Sequence, residues 1–328
     1  MLDKDARLSA DVFTDDIKKA STRDGFGTGT VAAGKADPRV VVLCADLMES
    51  TRAEWFEKEF PERFIEMGVA EQNMATVAAG MAAAGKIPFI ASYAVFSPGR
   101  NYEQIRTTIA LNRQHVVVCG MHAGVSVGPD GATHQMLEDI GMMRMLPNMT
   151  VIAPGDAEEA HKAVVAAAQA DGPVYLRFGR AATPVFTTGE TPFQIGKALP
   201  LWQGAAPRVA ILSTGSLTHA ALVAARALDR DGIESVVLHV PTIKPLDTEA
   251  VLAAAARAGR VLTVEEHQAA GGFGSAVAEL LAERHPVPVQ RLGVLDAFGQ
   301  SGEPDELLRH YGLDALHIEA AARALAAV

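Results

Sequence analysis

Five apolar runs without polar alternation constrain the first half of this chain more than any other feature. Val40-Val41-Val42-Leu43-Cys44-Ala45 ends in Asp46, and the same form recurs over 87–91, 115–120, 150–154 and 174–178. A strand with one wet face alternates polar and apolar residues. One without alternation is buried on both faces, as in a parallel sheet covered by helices on either side. Helix-like segments separate the runs, roughly 51–59, 71–84, 99–112, 135–145 and 157–170. This alternation predicts an α/β architecture whose ligands bind at the carboxyl ends of the strands. Phe64-Ile65-Glu66-Met67 reads as one more buried strand, and the Ala/Met-rich stretch after it as a helix packed through small side chains.

The pattern lapses into Pro-, Thr- and Gly-containing sequence after Ala181 and resumes near Val209. Three further strand-like runs follow, over 209–215, 235–240 and 260–264, with a candidate fourth over 287–292 and an Ala-rich closing helix over 316–328. The expected organisation is a first α/β domain over 1–190, a linker over 191–207 and a second α/β domain over 208–328, its sheet mostly parallel or mixed. Residues 1–20 are polar and acidic and form either a first helix or a contact arm. With 328 residues, 49 % hydrophobic and 21 % charged, the chain has ample core for two such domains. A net charge of −10 without a Lys/Arg cluster argues against nucleic acid as partner, while a local basic pocket for an anionic metabolite remains compatible with it. No stretch is long and uncharged enough to predict a membrane span. Cys44 and Cys119, each inside an apolar run, read as reduced core residues of a cytoplasmic protein.

Chemistry-bearing residues gather where strands end. Glu71 stands in the first turn of a helix after the 64–67 strand, where a carboxylate serves either as a partner of the helix dipole or as a functional group. Met121 to Gln135, directly after the 115–120 strand, holds His122, Asp130 and His134 among Gly and Pro residues. A metal site, turn capping, and polar recognition with proton transfer are its three readings, and the absence of any compact ligand signature favours the last.

Gly68-Val69-Ala70-Glu71-Gln72-Asn73-Met74, taken with Gly128-Pro129-Asp130-Gly131-Ala132-Thr133-His134-Gln135, resembles the pyrimidine-binding domain of transketolase. Residues 208–328 resemble the transketolase C-terminal domain. The family's diphosphate motif, Gly-Asp-Gly followed further on by Asn, is missing, since Gly155-Asp156 continues Ala-Glu-Glu. The resemblance therefore implies the C-terminal half of a split transketolase that transfers a two-carbon ketol unit between sugar phosphates. It implies thiamine diphosphate as cofactor and Mg²⁺ bound by ligands of an N-terminal diphosphate-domain partner chain, with no metal ligands in this chain. It also implies an α2β2 assembly containing a homodimer of this chain.

Carried onto this sequence, the resemblance gives Glu71 the cofactor's aminopyrimidine nitrogen, and a carboxyl group shielded from water at a strand-to-helix junction suits that task. It gives Tyr93 and Phe96 the walls of the pyrimidine site, although both also suit a core. Asp46 is either a cofactor neighbour or a cap. His134 matches a sugar-binding and proton-shuttling histidine, Asp130 a reader of a sugar hydroxyl. Arg23, Ser50, His122 and Arg180 match a phosphate cluster, in keeping with the charge-assisted donors a dianion needs. Ser50 reads equally as an N-cap, and ungapped spacing from Gly172-Pro173 favours Arg180 over Arg177. Arg100, on the helix expected over 99–112, contacts either substrate or only the sheet edge. Glu265-Glu266-His267 follows a strand, and Gly271-Gly272-Phe273-Gly274 reads as a tight strand-to-helix connection. The alternatives are a deoxyxylulose-phosphate synthase-like or 2-oxoacid dehydrogenase beta-type subunit and, from another class, a non-catalytic scaffold.

Overall fold

The structure, a computed structural model, describes residues 1–327. In chain order its strands are β1 (Lys19–Ser21), β2 (Val40–Cys44), β3 (Phe64–Glu66), β4 (Ile87–Tyr93), β5 (Val117–Met121), β6 (Thr150–Ile152) and β7 (Val174–Arg177). They continue with β8 (Ala182–Pro184), β9 (Leu199–Gln203), β10 (Val209–Ser213), β11 (Ser235–His239), β12 (Thr242–Lys244), β13 (Val261–Gln268) and β14 (Val289–Val294). The largest sheet has the order β12-β6-β7-β5-β4-β2-β3 and is parallel except for β12; a second has the order β14-β13-β10-β11-β9 and is parallel except for β9; β1 and β8 pair as a small antiparallel sheet. The first two are the two α/β units expected from the apolar runs.

The runs lack alternation because neither face of the first sheet meets water. Val41, Leu43, Ile90 and Val118 pack on one face; Val40, Val42, Phe89 and Val117 pack on the other. The first of these clusters continues into Ala210, Leu212 and Val251 of the second unit, so the two units share apolar core. Cys44 and Cys119 are free thiols in the cluster on the other face, and burial pushes the Cys44 thiol up to about 11.

Several expectations change. β3 lies at the edge of its sheet, with Phe64 and Ile65 half-buried and Glu66 exposed, where a buried strand was expected. The lapse read as a linker over 191–207 contains β9, which hydrogen-bonds to β11, and β12 crosses back from the second half to extend the first sheet. The expected helix over 99–112 is a single α-turn, Tyr102–Gln104, followed by a π-helical stretch, Ile105–Ala110. The expected helix over 51–59 is two short ones, broken at Arg52 with φ +70°. The closing helix runs Ala315–Ala327, and Val328 lies outside the described residues.

One long helix, Thr22–Ala36, has no counterpart in the sequence reading. Its start is a reciprocal cap between Ser21 and Asp24, and it lies against the helix Ala157–Ala167. A Cβ at Gly25 would strike the Ala157 carbonyl and one at Gly29 the Val164 side chain, so glycines that weaken the helix alone permit the close approach. Residues 1–18 form a contact arm rather than a long helix. The Asp3 N–H donates to the Leu201 carbonyl (2.9 Å), His219 meets the Val12 carbonyl (2.8 Å), and Phe13 packs edge-on against Trp202 at 6.0 Å. No helix among the described residues is long and apolar enough to cross a membrane.

Candidate active site

Glu66 ties two strand ends together: its Oε1 accepts the N–H groups of Asp46 and Gly68, both at 2.8 Å. Gly68 then turns with φ +68°, and three residues later the helix Glu71–Ala83 begins. Its N-cap, Ala70, carries no side-chain cap, and the Glu71 carboxylate does not close the helix end. Buried to 1 % exposure, it accepts from Arg100 Nη1 at 2.7 Å through Oε2 and from Ser92 Oγ at 3.4 Å through Oε1. Asn101 Nδ2 holds the Glu71 carbonyl at 3.0 Å and the Ser97 hydroxyl at 3.1 Å. Arg100 sits in the turn before Tyr102, not on the helix expected there, and its guanidinium lies 4.6 Å from the Phe96 ring.

From Phe96 a group of rings leads across the strand ends. Tyr93, the last residue of β4, stacks on Phe96 at 5.9 Å and on His122 at 3.9 Å; His134 stands edge-on to both aromatic residues at 5.9 and 5.7 Å. Tyr93 is also part of the core, as the core reading from sequence expects. His122, just past β5, adopts a left-handed φ of +53° and buries an unpartnered Nδ1. Burial pushes its pKa down to about 3, and the Arg23 and Arg180 charges push the same way, so the ring is neutral at physiological pH. His134 Nδ1 contacts the Thr133 hydroxyl at 2.9 Å.

Arg23 and Arg180 line a cavity of about 300 Å³ with Ser126, Val127, Pro129 and Glu303. Arg23 donates through Nη1 to the Ser50 carbonyl (2.7 Å), and its Nε is buried without a partner. Burial lowers its pKa, and the Arg52 and Arg180 charges add to that. Arg180 donates to the Val127 carbonyl at 2.7 Å and has Asp130 at 3.8 Å. Two guanidiniums that line one cavity and keep free donors make a site for an anion. Arg177 is committed elsewhere: it is buried on Asp139 (2.8 Å) and on the Glu266 carbonyl (2.8 Å).

Thus the structure brings Glu71, Tyr93, Phe96, Arg100, His122, His134, Asp130, Arg23 and Arg180 into one continuous region. Ser50 joins it through its carbonyl rather than its hydroxyl. It lies inside the helix Met48–Thr51, whose N-cap is Leu47, so the capping readings of both Ser50 and Asp46 fail. Asp46 stands apart, exposed with φ +58°, in a neighbouring cavity shared with Ser50 and Glu66. Among the described residues no group of three or more His, Cys, Asp or Glu could hold a metal, so His122, Asp130 and His134 do not form the metal site that was one reading of their loop.

The family model for the transketolase pyrimidine-binding domain matches residues 18–185, and that for the transketolase C-terminal domain matches residues 196–318. The chain belongs to the transketolase family. It is 43 % identical to a Methanocaldococcus jannaschii protein described as a transketolase C-terminal section, over 89 % of this chain and 92 % of that one. It is 40 % identical to a 6-deoxy-6-sulfo-D-fructose transketolase subunit of a Clostridium species, over 92 % of each. Its fold matches a solved split-gene transketolase in an inactive beta4 tetramer, with a TM-score of 0.87, 43 % identity, and coverage of 94 % of this chain and 98 % of that chain. Transketolases are transferases, and the family implies thiamine diphosphate as cofactor.

In this transketolase chain the C-terminal unit shapes the loop Met121–Gln135, a role the sequence reading missed. Glu266, near the end of β13, accepts the Ser126 N–H at 2.6 Å and the Ser216 hydroxyl at 3.2 Å. Its backbone carbonyl takes Arg177, whose charge offsets the burial that raises the Glu266 pKa. Gly124, with φ +92°, leaves the room this carboxylate occupies, which a Cβ would fill. Gln135 Nε2 spans the Val125 carbonyl (2.9 Å) and the Gln300 carbonyl (3.0 Å). Glu265, Glu266 and His267 lie within β13 rather than after it, at 0, 4 and 1 % exposure. Three consecutive ionisable residues closing a buried apolar strand were the available signal. Glu265 accepts the Phe273 and Gly274 N–H groups, both at 2.7 Å, so the Gly-rich turn is the strand-to-helix connection expected.

Proposed function

We propose that this chain is the pyrimidine-domain subunit of a two-chain transketolase, which moves a two-carbon ketol unit from a ketose phosphate to an aldose phosphate. One observation carries the reading. The rings of Phe96, Tyr93, His122 and His134 join a buried carboxylate, Glu71, to an anion cavity lined by Arg23 and Arg180, along the carboxyl ends of β4, β5 and β7.

The residues present fit half of the implied cofactor. A buried carboxyl group with an oxygen held only at 3.4 Å, beside two stacked aromatic faces, suits the ring nitrogen of an aminopyrimidine with which it can share a proton. Glu71, Tyr93 and Phe96 would hold it. The diphosphate and Mg²⁺ fall to the N-terminal partner chain. Thiamine diphosphate, when bound, supplies the nucleophilic carbon and the electron sink for C–C cleavage. The chain's own residues do the rest. Glu71 protonates or shares its proton with the pyrimidine nitrogen, and the aromatic pair keeps water from it. His134 donates to or takes a proton from the sugar oxygen nearest the reacting carbon. Asp130, drawn toward Arg180, accepts from a sugar hydroxyl. His122, neutral, offers one N–H to the substrate without adding charge, while Arg23 and Arg180 bind the terminal anion bidentately.

A terminal sulfonate is the second reading, favoured by the description of the Clostridium relative. The arginine cavity speaks against pyruvate chemistry, which needs no such cluster on the donor, and against a scaffold, which needs neither it nor Glu71. Without its partner the chain is expected to self-associate and turn nothing over, as the description of the inactive beta4 assembly says of its relative. Co-expression with a diphosphate-domain chain, followed by a thiamine-dependent screen of phosphorylated and sulfonated ketoses, tests the reading. Turnover by the isolated chain would refute it.

A further inference from the structure

The two oxygens of the Glu71 carboxylate have unlike surroundings. Oε2 takes the Arg100 guanidinium at 2.7 Å, whereas Oε1 has only the Ser92 hydroxyl at 3.4 Å, near the limit of a hydrogen bond. A carboxyl group buried to 1 % exposure calls for polar partners, and Arg100 is the cation that meets it. The placement of Arg100 is built. Asn101, fully buried, is fixed by its bonds to the Glu71 carbonyl and Ser97, and the Phe96 face supports the guanidinium from below at 4.6 Å. Arg100 does not line the cavity of Arg23 and Arg180.

We propose that Arg100 is the positioning residue of the Glu71 carboxyl group: it occupies Oε2, fixes the orientation of the group and leaves Oε1 as the oxygen that meets the pyrimidine nitrogen of the cofactor. The inference rests on the proposed function for the identity of that ring, and it replaces substrate contact as the role of Arg100. Because Arg100 acts through Glu71, its loss affects the cofactor and the chemical step rather than the sugar.

The test uses Arg100→Met, Arg100→Lys, Glu71→Gln and the Arg100→Met/Glu71→Gln pair, both as isolated chain and in the complex with the diphosphate-domain partner. In the isolated chain, Arg100→Met lowers the urea midpoint, and the same change has little further effect when Glu71 is already Gln. In the complex, Arg100→Met weakens thiamine diphosphate binding, read by intrinsic fluorescence, about tenfold and lowers kcat by about tenfold or more. The KM for the sugar phosphate stays within about twofold, and lysine restores most of both losses. A raised KM with unchanged cofactor binding overturns the proposal and makes Arg100 a substrate ligand. Additive midpoints in the isolated chain overturn it as well, because the pair is then not coupled. A parent complex that binds no thiamine diphosphate overturns the functional reading itself, a result distinct from either.

Discussion

Arg177 and Arg180, three residues apart on one strand end, predict opposite consequences when each is changed to methionine. Arg177 is 8 % exposed and Asp139 is fully buried; the pair meets at 2.8 Å, and Arg177 also serves the Glu266 carbonyl at 2.8 Å. Arg177→Met leaves Asp139 buried with only the Tyr175 hydroxyl at 2.7 Å and strips a buried carbonyl of its donor. Breaking one side of a buried pair costs about 3–5 kcal/mol, and methionine keeps part of the apolar stem packing, so about 4 kcal/mol is expected. Arg180 is 36 % exposed and its carboxylate neighbour is 3.8 Å away, so Arg180→Met costs under about 1 kcal/mol of stability and acts on substrate binding instead. Equilibrium urea unfolding of the isolated chain measures both. Arg177→Met combined with Asp139→Asn removes the unpaired charge and is expected to recover about 2 kcal/mol of the single-variant loss. Burial opposes ionisation of Asp139, but Arg177, with help from His267 and the Tyr175 hydroxyl, outweighs it and holds the carboxyl below the ordinary range. The pair's contribution is therefore present at neutral pH and is lost as pH falls through that depressed value; Arg177→Met removes this acid dependence. A loss below about 1 kcal/mol for Arg177→Met, or equal losses for the two arginines, would refute the division of roles.

His122, with its pKa pushed down to about 3, refuses in the folded state a proton that the unfolded chain takes up at the ordinary histidine value. Stability therefore falls as pH drops below that ordinary value and levels off near the folded one, and His122→Gln flattens this slope in a pH series of urea midpoints. Glu266→Ala, by freeing the Ser126 N–H, loosens the loop that carries His122, Asp130 and His134. It should raise the KM for sugar phosphate about tenfold while thiamine diphosphate affinity stays unchanged; equal weakening of both would show a general loss of fold.

What the sequence made legible was local. β2, β4, β5, β6 and β7 read directly as buried strands because burial on both faces erases alternation, and that signal needs no knowledge of distant residues. Glu71 and the loop Met121–Gln135 were visible because polar residues gathered at strand ends have no core purpose. The helix Thr22–Ala36 was not visible, since the glycines that let it touch the helix Ala157–Ala167 erase its propensity and its apolar stripe. The partner of Glu71 was not visible either. Arg100 reaches it from 29 residues away, only because Asn101 anchors the turn against the start of another helix. Arg177 and Arg180 were nearly interchangeable in the sequence, and only Asp139 and the Glu266 carbonyl, both remote, separate them. β9 and β12 failed for the same reason: short segments become strands through the edge they join, and nothing in their own residues announces that edge.

The central claim is that Glu71 belongs to a cofactor site completed by a second chain. Its most direct measurement is thiamine diphosphate-dependent ketol transfer by the reconstituted two-chain complex, carrying either the parent subunit or Glu71→Gln, each also assayed alone. The account predicts no turnover from either subunit alone, turnover from the parent complex, and loss of about a hundredfold or more in kcat for Glu71→Gln with complex formation and unfolding midpoint retained. Turnover by the isolated chain, or a Glu71→Gln complex as active as the parent, would contradict it.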